Sequence, residues 1–178
     1  MAIALFSGNG NYQIDVDAAL VPGSQNIAAN TSDVYWRVIV RKTAGTGFWS
    51  AASPTNRGYA RFTGTGGYTE VWNVAGFAYD FRNGSNSGEW LFAQGVRTIT
   101  HNADGTASFE FASEMTLVSL GTAVASTGSI ALPRIPRGPR VRSGGSWRNS
   151  VAYVRSGGQW KVAVPYVRSG GSWKVAGG

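Results

Sequence analysis

The chain has 178 residues, 43% of them hydrophobic, with 25 glycines and a formal net charge of +7; this excludes wholesale disorder and allows one domain of ordinary size with a short appendage. The absence of cysteine excludes disulfides, thiolate metal sites and cysteine nucleophiles. No stretch approaches the ~18 apolar residues of a membrane span, and the start, MAIALFSGNG, lacks the basic residues and long apolar run of a signal peptide.

Period-2 alternation dominates residues 1–133. Tyr12, Ile14, Val16 and Ala18 alternate with Gln13, Asp15 and Asp17. Val34, Trp36, Val38 and Val40 do the same, with Arg37 and Arg41 on the other face, and Phe109 and Phe111 flank Glu110. Each pattern predicts a strand with one buried face. Turn-rich stretches separate them: SGNGN near residue 7, TAGTG near 43, TGTGG near 63, RNGSNSG from Arg82 and NADGT from Asn102. No window sustains a helical period. Residues 1–133 therefore read as an all-β antiparallel β-sandwich, of jelly-roll or immunoglobulin-like type.

Composition breaks at LPRIPRGPR, where three prolines in nine residues predict a stiff extended linker over 134–140. An internal repeat of period 13 fills 141–178: VRSGGSW from Val141, VRSGGQW from Val154 and VRSGGSW from Val167. Arg148, Lys161 and Lys174 follow the three Trp residues, and Tyr153 and Tyr166 precede the second and third copies, with Arg140 in that place before the first. Gly-Gly between β-prone runs predicts three short β-hairpins. A three-residue SGG loop, which pairs Arg155 with Gln159 and segregates an apolar face (Val154, Trp160, Val162) from a polar one, is the preferred register. A two-residue GG turn would set Arg155 opposite Trp160 and allow a cation–π contact. One such hairpin is marginal alone, so oligomerisation is expected.

Charge is divided the same way. All 9 acidic residues and 7 of the 16 basic ones lie in 1–133, whereas 134–178 carry the other basic residues and no acid. The positive charge belongs to the tail and favours polyanionic partners, the alternative being a solvated face that only prevents aggregation.

GVRTITHNADGTASFEFAS followed by STGSIALPRIPR resembles tail proteins of long-tailed phages of Gram-positive bacteria and actinobacteria; WRVIVRKTAGTGFWS and AYDFRNGS look like the same family. YVRSGGQWKVA is similar to the YVK-x-GG-x-WK repeats near the ends of phage minor tail and fibre proteins. The resemblance implies a non-enzymatic virion component, a minor tail or tail-tip subunit. Other tail proteins and further copies of the chain (a trimer, by fibre analogy) would be its partners, and host cell-wall glycan a further one.

Catalytic alternatives find little support in the residues. His101 is the single histidine and sits in a turn-like THNADGT, where it reads as a turn-stabilising polar residue. No nucleophile elbow or metal-ligand spacing accompanies it, and no cofactor is expected. Asp104 reads as a turn residue, with a calcium ligand as the alternative. Asp15 and Asp17 fall on one outward face, leaving Asp80, Glu89, Glu110 and Glu114 as the carboxylates for glycan hydrolysis. Candidate binding residues, for a partner or a glycan, are Arg142, Trp147, Tyr153, Arg155, Trp160, Lys161, Tyr166, Arg168, Trp173 and Lys174, because aromatic rings stack on sugars and Arg holds phosphate or carboxylate bidentately; the favoured alternative is that each Trp packs in a hairpin core and each Arg faces water. Nucleic acid is the weaker reading of the same stacking-plus-phosphate pattern. Trp36 is expected in the core; Trp49 and Trp90, at loop borders, are candidates for exposed sugar binding, the alternative being that they only pack at the sandwich edge.

Overall fold

The computed structural model describes residues 1–45, 50–82, 88–135 and 140–175, with the side chains of residues 140, 147–149 and 175 outside the description. Among the described residues there is no helix. The strands of the main body are β1 (Ala2–Phe6), β2 (Asn9–Leu20), β3 (Thr31–Lys42), β4 (Ser50–Ala52), β5 (Arg57–Gly64), β6 (Thr69–Ala75), β7 (Ala78–Asp80), β8 (Glu89–Thr100), β9 (Ala107–Leu117) and β10 (Gly121–Leu132). They form two four-stranded antiparallel sheets, in the orders β1-β2-β3-β8 and β10-β9-β5-β6, plus a small β4-β7 ladder. The fold is an antiparallel β-sandwich followed by short β-hairpins.

The alternating strands supply the core. Tyr12, Ile14, Val16 and Ala18 on β2 and Val34, Trp36, Val38 and Val40 on β3 are all buried in one cluster with Phe62, Phe109 and Phe111 of the opposite sheet. Trp36 reaches across to Phe111, with ring centroids 5.6 Å apart. Its own sheet makes room for it: Gly95 pairs with Trp36, and a Cβ there would stand 2.9 Å from the indole. A second group of rings closes one end, where Phe81 lies 5.4 Å from Tyr12, 4.8 Å from Tyr79 and 4.3 Å from Trp90. Offset or tilted rings at these spacings add to simple area burial.

β1 and β10, edges of different sheets, are joined where Ser7 and Gly8 donate backbone bonds to Thr122 and Leu120 carbonyls at 3.0 and 2.8 Å. β8 is the opposite edge of the first sheet. It turns Arg97 over the Phe62 ring, 5.3 Å from the centroid, and burial lowers the pKa of that guanidinium. An inward-turned charge on an edge strand discourages pairing with another sheet.

One buried polar side chain organises the loops. Asn56 is fully buried. Its Nδ2 donates to the Phe77 carbonyl at 2.7 Å and to that of Ala51 at 3.4 Å, and its Oδ1 accepts from the Val118 amide at 2.8 Å. Its backbone carbonyl accepts from the Gly76 amide at 2.8 Å. Asn56 thus ties the nearby Ala51 to two segments distant in sequence, Gly76–Phe77 and Val118. Asn56→Ala strands buried backbone groups and is expected to cost about 2–3 kcal/mol, read as a lower urea midpoint.

Candidate binding surface on the hairpins

Beyond Leu132 the chain keeps contact with the sandwich before the hairpins begin. Arg134 Nε donates to the Asp104 carbonyl and the Ile135 amide to that of Gly105, both at 2.9 Å, and Ile135 is buried. Residues 136–139, the centre of the expected linker, lie outside the described residues.

The hairpins are β11 (Arg140–Ser143) with β12 (Ser146–Asn149), β13 (Ala152–Ser156) with β14 (Gln159–Ala163), and β15 (Tyr166–Ser169) with β16 (Ser172–Val175). Their register corrects the preferred expectation. Ser156 pairs with Gln159 and Arg155 with Trp160, so the turn is the two-residue Gly157-Gly158; the same pairing sets Arg142 against Trp147 and Arg168 against Trp173. The cause lies in the turn. Gly157 and Gly158 have φ of 61° and 80°, the pair of positive angles of a type I′ turn, whose twist matches the flanking strands. Turn geometry outweighs the face segregation that the longer loop offers.

The shift redistributes every side chain. Tyr153, Arg155, Trp160 and Val162 now share one face of the second hairpin, and Tyr166, Arg168 and Trp173 share the equivalent face of the third. Lys161 and Lys174 move to the reverse, opposite Val154 and Val167. The ten candidate residues are therefore not one surface: Tyr, Arg and Trp go together, and the lysines leave them. In the first hairpin Arg142 and Trp147 are cross-strand partners by register. Trp160 and Trp173 are 68% and 69% exposed, so these indoles are not a buried hairpin core.

The sandwich candidates are placed differently. Trp36 is in the core and Trp90 is half-buried against Phe81; the expectation of an exposed Trp90 is corrected, because β8 turns its ring into the aromatic end of the core. Trp72 is half-buried over Gly58, and Trp49 lies outside the described residues. His101 is buried, with both ring nitrogens engaged. Nδ1 lies 2.8 Å from the Gly105 carbonyl, which can only accept, so Nδ1 donates, and Nε2 hydrogen-bonds with Ser32 Oγ at 2.8 Å. The ring thereby holds the NADGT turn against β3.

Asp104 closes that turn by accepting from the Thr106 hydroxyl and amide at 2.5 and 2.9 Å. These bonds, the hydroxyl first, hold its carboxyl below the ordinary value of 3.8. A carboxylate favoured in the folded state contributes stability above its unfolded pKa and loses it as pH falls through the lower folded one. The expected result is an Asp104 carboxyl titration midpoint below 3.8 by NMR, moving back up in Thr106→Val. No group of three or more His, Cys, Asp or Glu gathers as metal ligands among the described residues.

Three of the four candidate carboxylates are already engaged. Asp80 is bidentate with Arg82, Glu89 pairs with Arg41, and Glu110 accepts from Ser126 Oγ. Asp15 points outward as expected, yet it is buried, gripped by Arg41 Nε at 2.9 Å and Gln13 Nε2 at 2.5 Å. Its pairing strands place it between Ile3 and Ile39, and alternation along β2 alone could not reveal its burial. Glu114 lines a depression with Tyr59, Arg61, Ser113 and Val124.

No protein-family profile and no curated protein matches the chain. Among solved structures, one described as "Putative ApaA Protein from Bordetella pertussis" is similar at 11% identity, covering 69% of this chain and 93% of that one with a TM-score of 0.33. A likeness at that score carries no argument about function.

Proposed function

We propose that the chain is a structural, non-enzymatic subunit of a phage tail, a minor tail or tail-tip protein, with the sandwich as its body and the hairpins as contact elements. The observation that carries this reading is the array of near-identical hairpins, whose exposed Trp160 and Trp173 end a chain with tail-protein-like motifs. Two-stranded hairpins are marginal by themselves, so a repeated set with exposed aromatics reads as built for contact. The partners in this reading are other tail proteins, further copies of the chain in a homo-oligomer such as a trimer, and the host cell wall. The place of work is the virion.

Electron microscopy of purified tails labelled with antibody against the chain tests this, with label expected at one defined position. Absence of the chain from purified particles overturns it. Light scattering on the full chain and on a version ending at Ile135 tests the oligomer: an oligomeric full chain with a monomeric truncation assigns self-association to the hairpins. A second reading, a glycan-recognition module, is favoured by the exposure of Trp160 and Trp173 beside Arg155 and Arg168.

A further inference from the structure

The second and third hairpins present one surface twice. On each, a Trp more than two-thirds exposed stands directly across the ladder from an Arg, with a Tyr two residues before that Arg on the same face. Directly opposed side chains on one face of an antiparallel pair have Cβ atoms about 5 Å apart. A ring laid on the indole therefore has its own substituents within reach of the guanidinium.

Charge narrows the occupant. Residues 134–178 contain no acid, so the hairpins of a second copy would meet these faces with like charge. A polyanion meets them with opposite charge. The cations are also sparse where the aromatics are. Lys161 and Lys174 lie on the reverse, which leaves each described aromatic face a single guanidinium over a strand of five or four residues, about 13–16 Å. Single-stranded nucleic acid is held by a continuous basic groove tracking its closely spaced phosphates. One cation beside one aromatic platform suits instead a polymer whose anionic group is carried by the stacked ring itself.

We propose that these two faces bind an anionic polysaccharide, with a sugar ring on Trp160 or Trp173 and its carboxylate or phosphate on Arg155 or Arg168. The planar fork of Arg fits either anion bidentately. Linking the two sites in one chain makes the second binding step intramolecular and raises avidity without new contacts. This identification rests on the reading of the hairpins as contact elements, but needs no virion: it concerns the purified chain.

The test is isothermal titration of the full chain with polygalacturonate, phosphorylated dextran, neutral dextran and poly(dT) at physiological salt. Binding to at least one charged polysaccharide is expected, stronger than to neutral dextran or poly(dT); the carboxylated and phosphorylated arms tell which anion is preferred. Trp160→Ala and Trp173→Ala are each expected to lower affinity about 10-fold, in line with single aromatic stacking contacts. Arg155→Gln with Arg168→Gln, which leaves the turns and indoles in place, is expected to abolish the preference for charged over neutral dextran. Equal or tighter binding to poly(dT), equal binding to neutral dextran, or no binding to either charged polysaccharide overturns the proposal. Absence of the chain from virions alongside polysaccharide binding would overturn the tail reading and leave this one standing.

Discussion

Replacing Phe111 by alanine is expected to remove about 3–5 kcal/mol of stability, the usual cost of emptying a buried phenyl site. Phe111 has no exposed surface. Its ring centroid lies 4.9 Å from that of Phe62 in the same sheet and 5.6 Å from that of Trp36 in the facing one. Deleting it opens a void bounded by both layers of the sandwich. The flanking strands cannot collapse into that void, because β9 is held on both sides by β5 and β10. Urea unfolding followed by tryptophan fluorescence should show a lower midpoint with an unchanged slope. Small domains have only about 5–15 kcal/mol in total, so the loss is a large share. A shift worth less than ~1 kcal/mol, the size of a typical surface effect, would mean that the two sheets do not meet at this ring.

Gly105→Ala is expected to cost roughly 2–5 kcal/mol, from left-handed strain and overpacking together. Gly105 has φ 79°, and an added Cβ would collide with the Ile135 carbonyl oxygen. That oxygen is backbone and cannot rotate aside. The Gly105 carbonyl also accepts from the Ile135 amide and from His101 Nδ1, at 2.9 and 2.8 Å. Displacing it loosens the NADGT turn, the His101 tie to β3 and the anchoring of the chain just before the hairpins. Gly23→Ala provides the contrast: φ is 74°, but nothing lies within 4 Å of a Cβ there, so only the backbone strain of about 1–2 kcal/mol applies. Equal effects at the two positions would show that Ile135 does not pack on the turn.

The strands of the sandwich were legible because burial on one face forces alternation, and alternation survives in the residues. Tyr12, Ile14, Val16 and Ala18, and likewise Val34, Trp36, Val38 and Val40, are all inside. The hairpins were legible too, since Gly-Gly between β-prone runs has few other solutions. The register was harder. Val154, Trp160 and Val162 look like one apolar face, and only the φ angles of Gly157 and Gly158 show that a two-residue turn places Arg155 across from Trp160. Without a core to bury, hydrophobic segregation has little with which to oppose turn geometry. Trp90 misled for the opposite reason: a residue at a loop border is exposed only if nothing folds over it, and Phe81 does.

By itself the amino-acid sequence determined an all-β chain, its division into an alternating part and a basic repeated part, and the Gly-Gly hairpins, because each follows from local preference or local composition. Only the tertiary structure decided which strands neighbour one another, that Asn56 joins the Gly76–Phe77 and Val118 segments, that His101 is tied to Ser32, and that Asp15 is buried on an outward face. Those outcomes depend on pairings between residues far apart in the chain. No local period encodes them, since a strand's alternation fixes which way each side chain points but not what it meets.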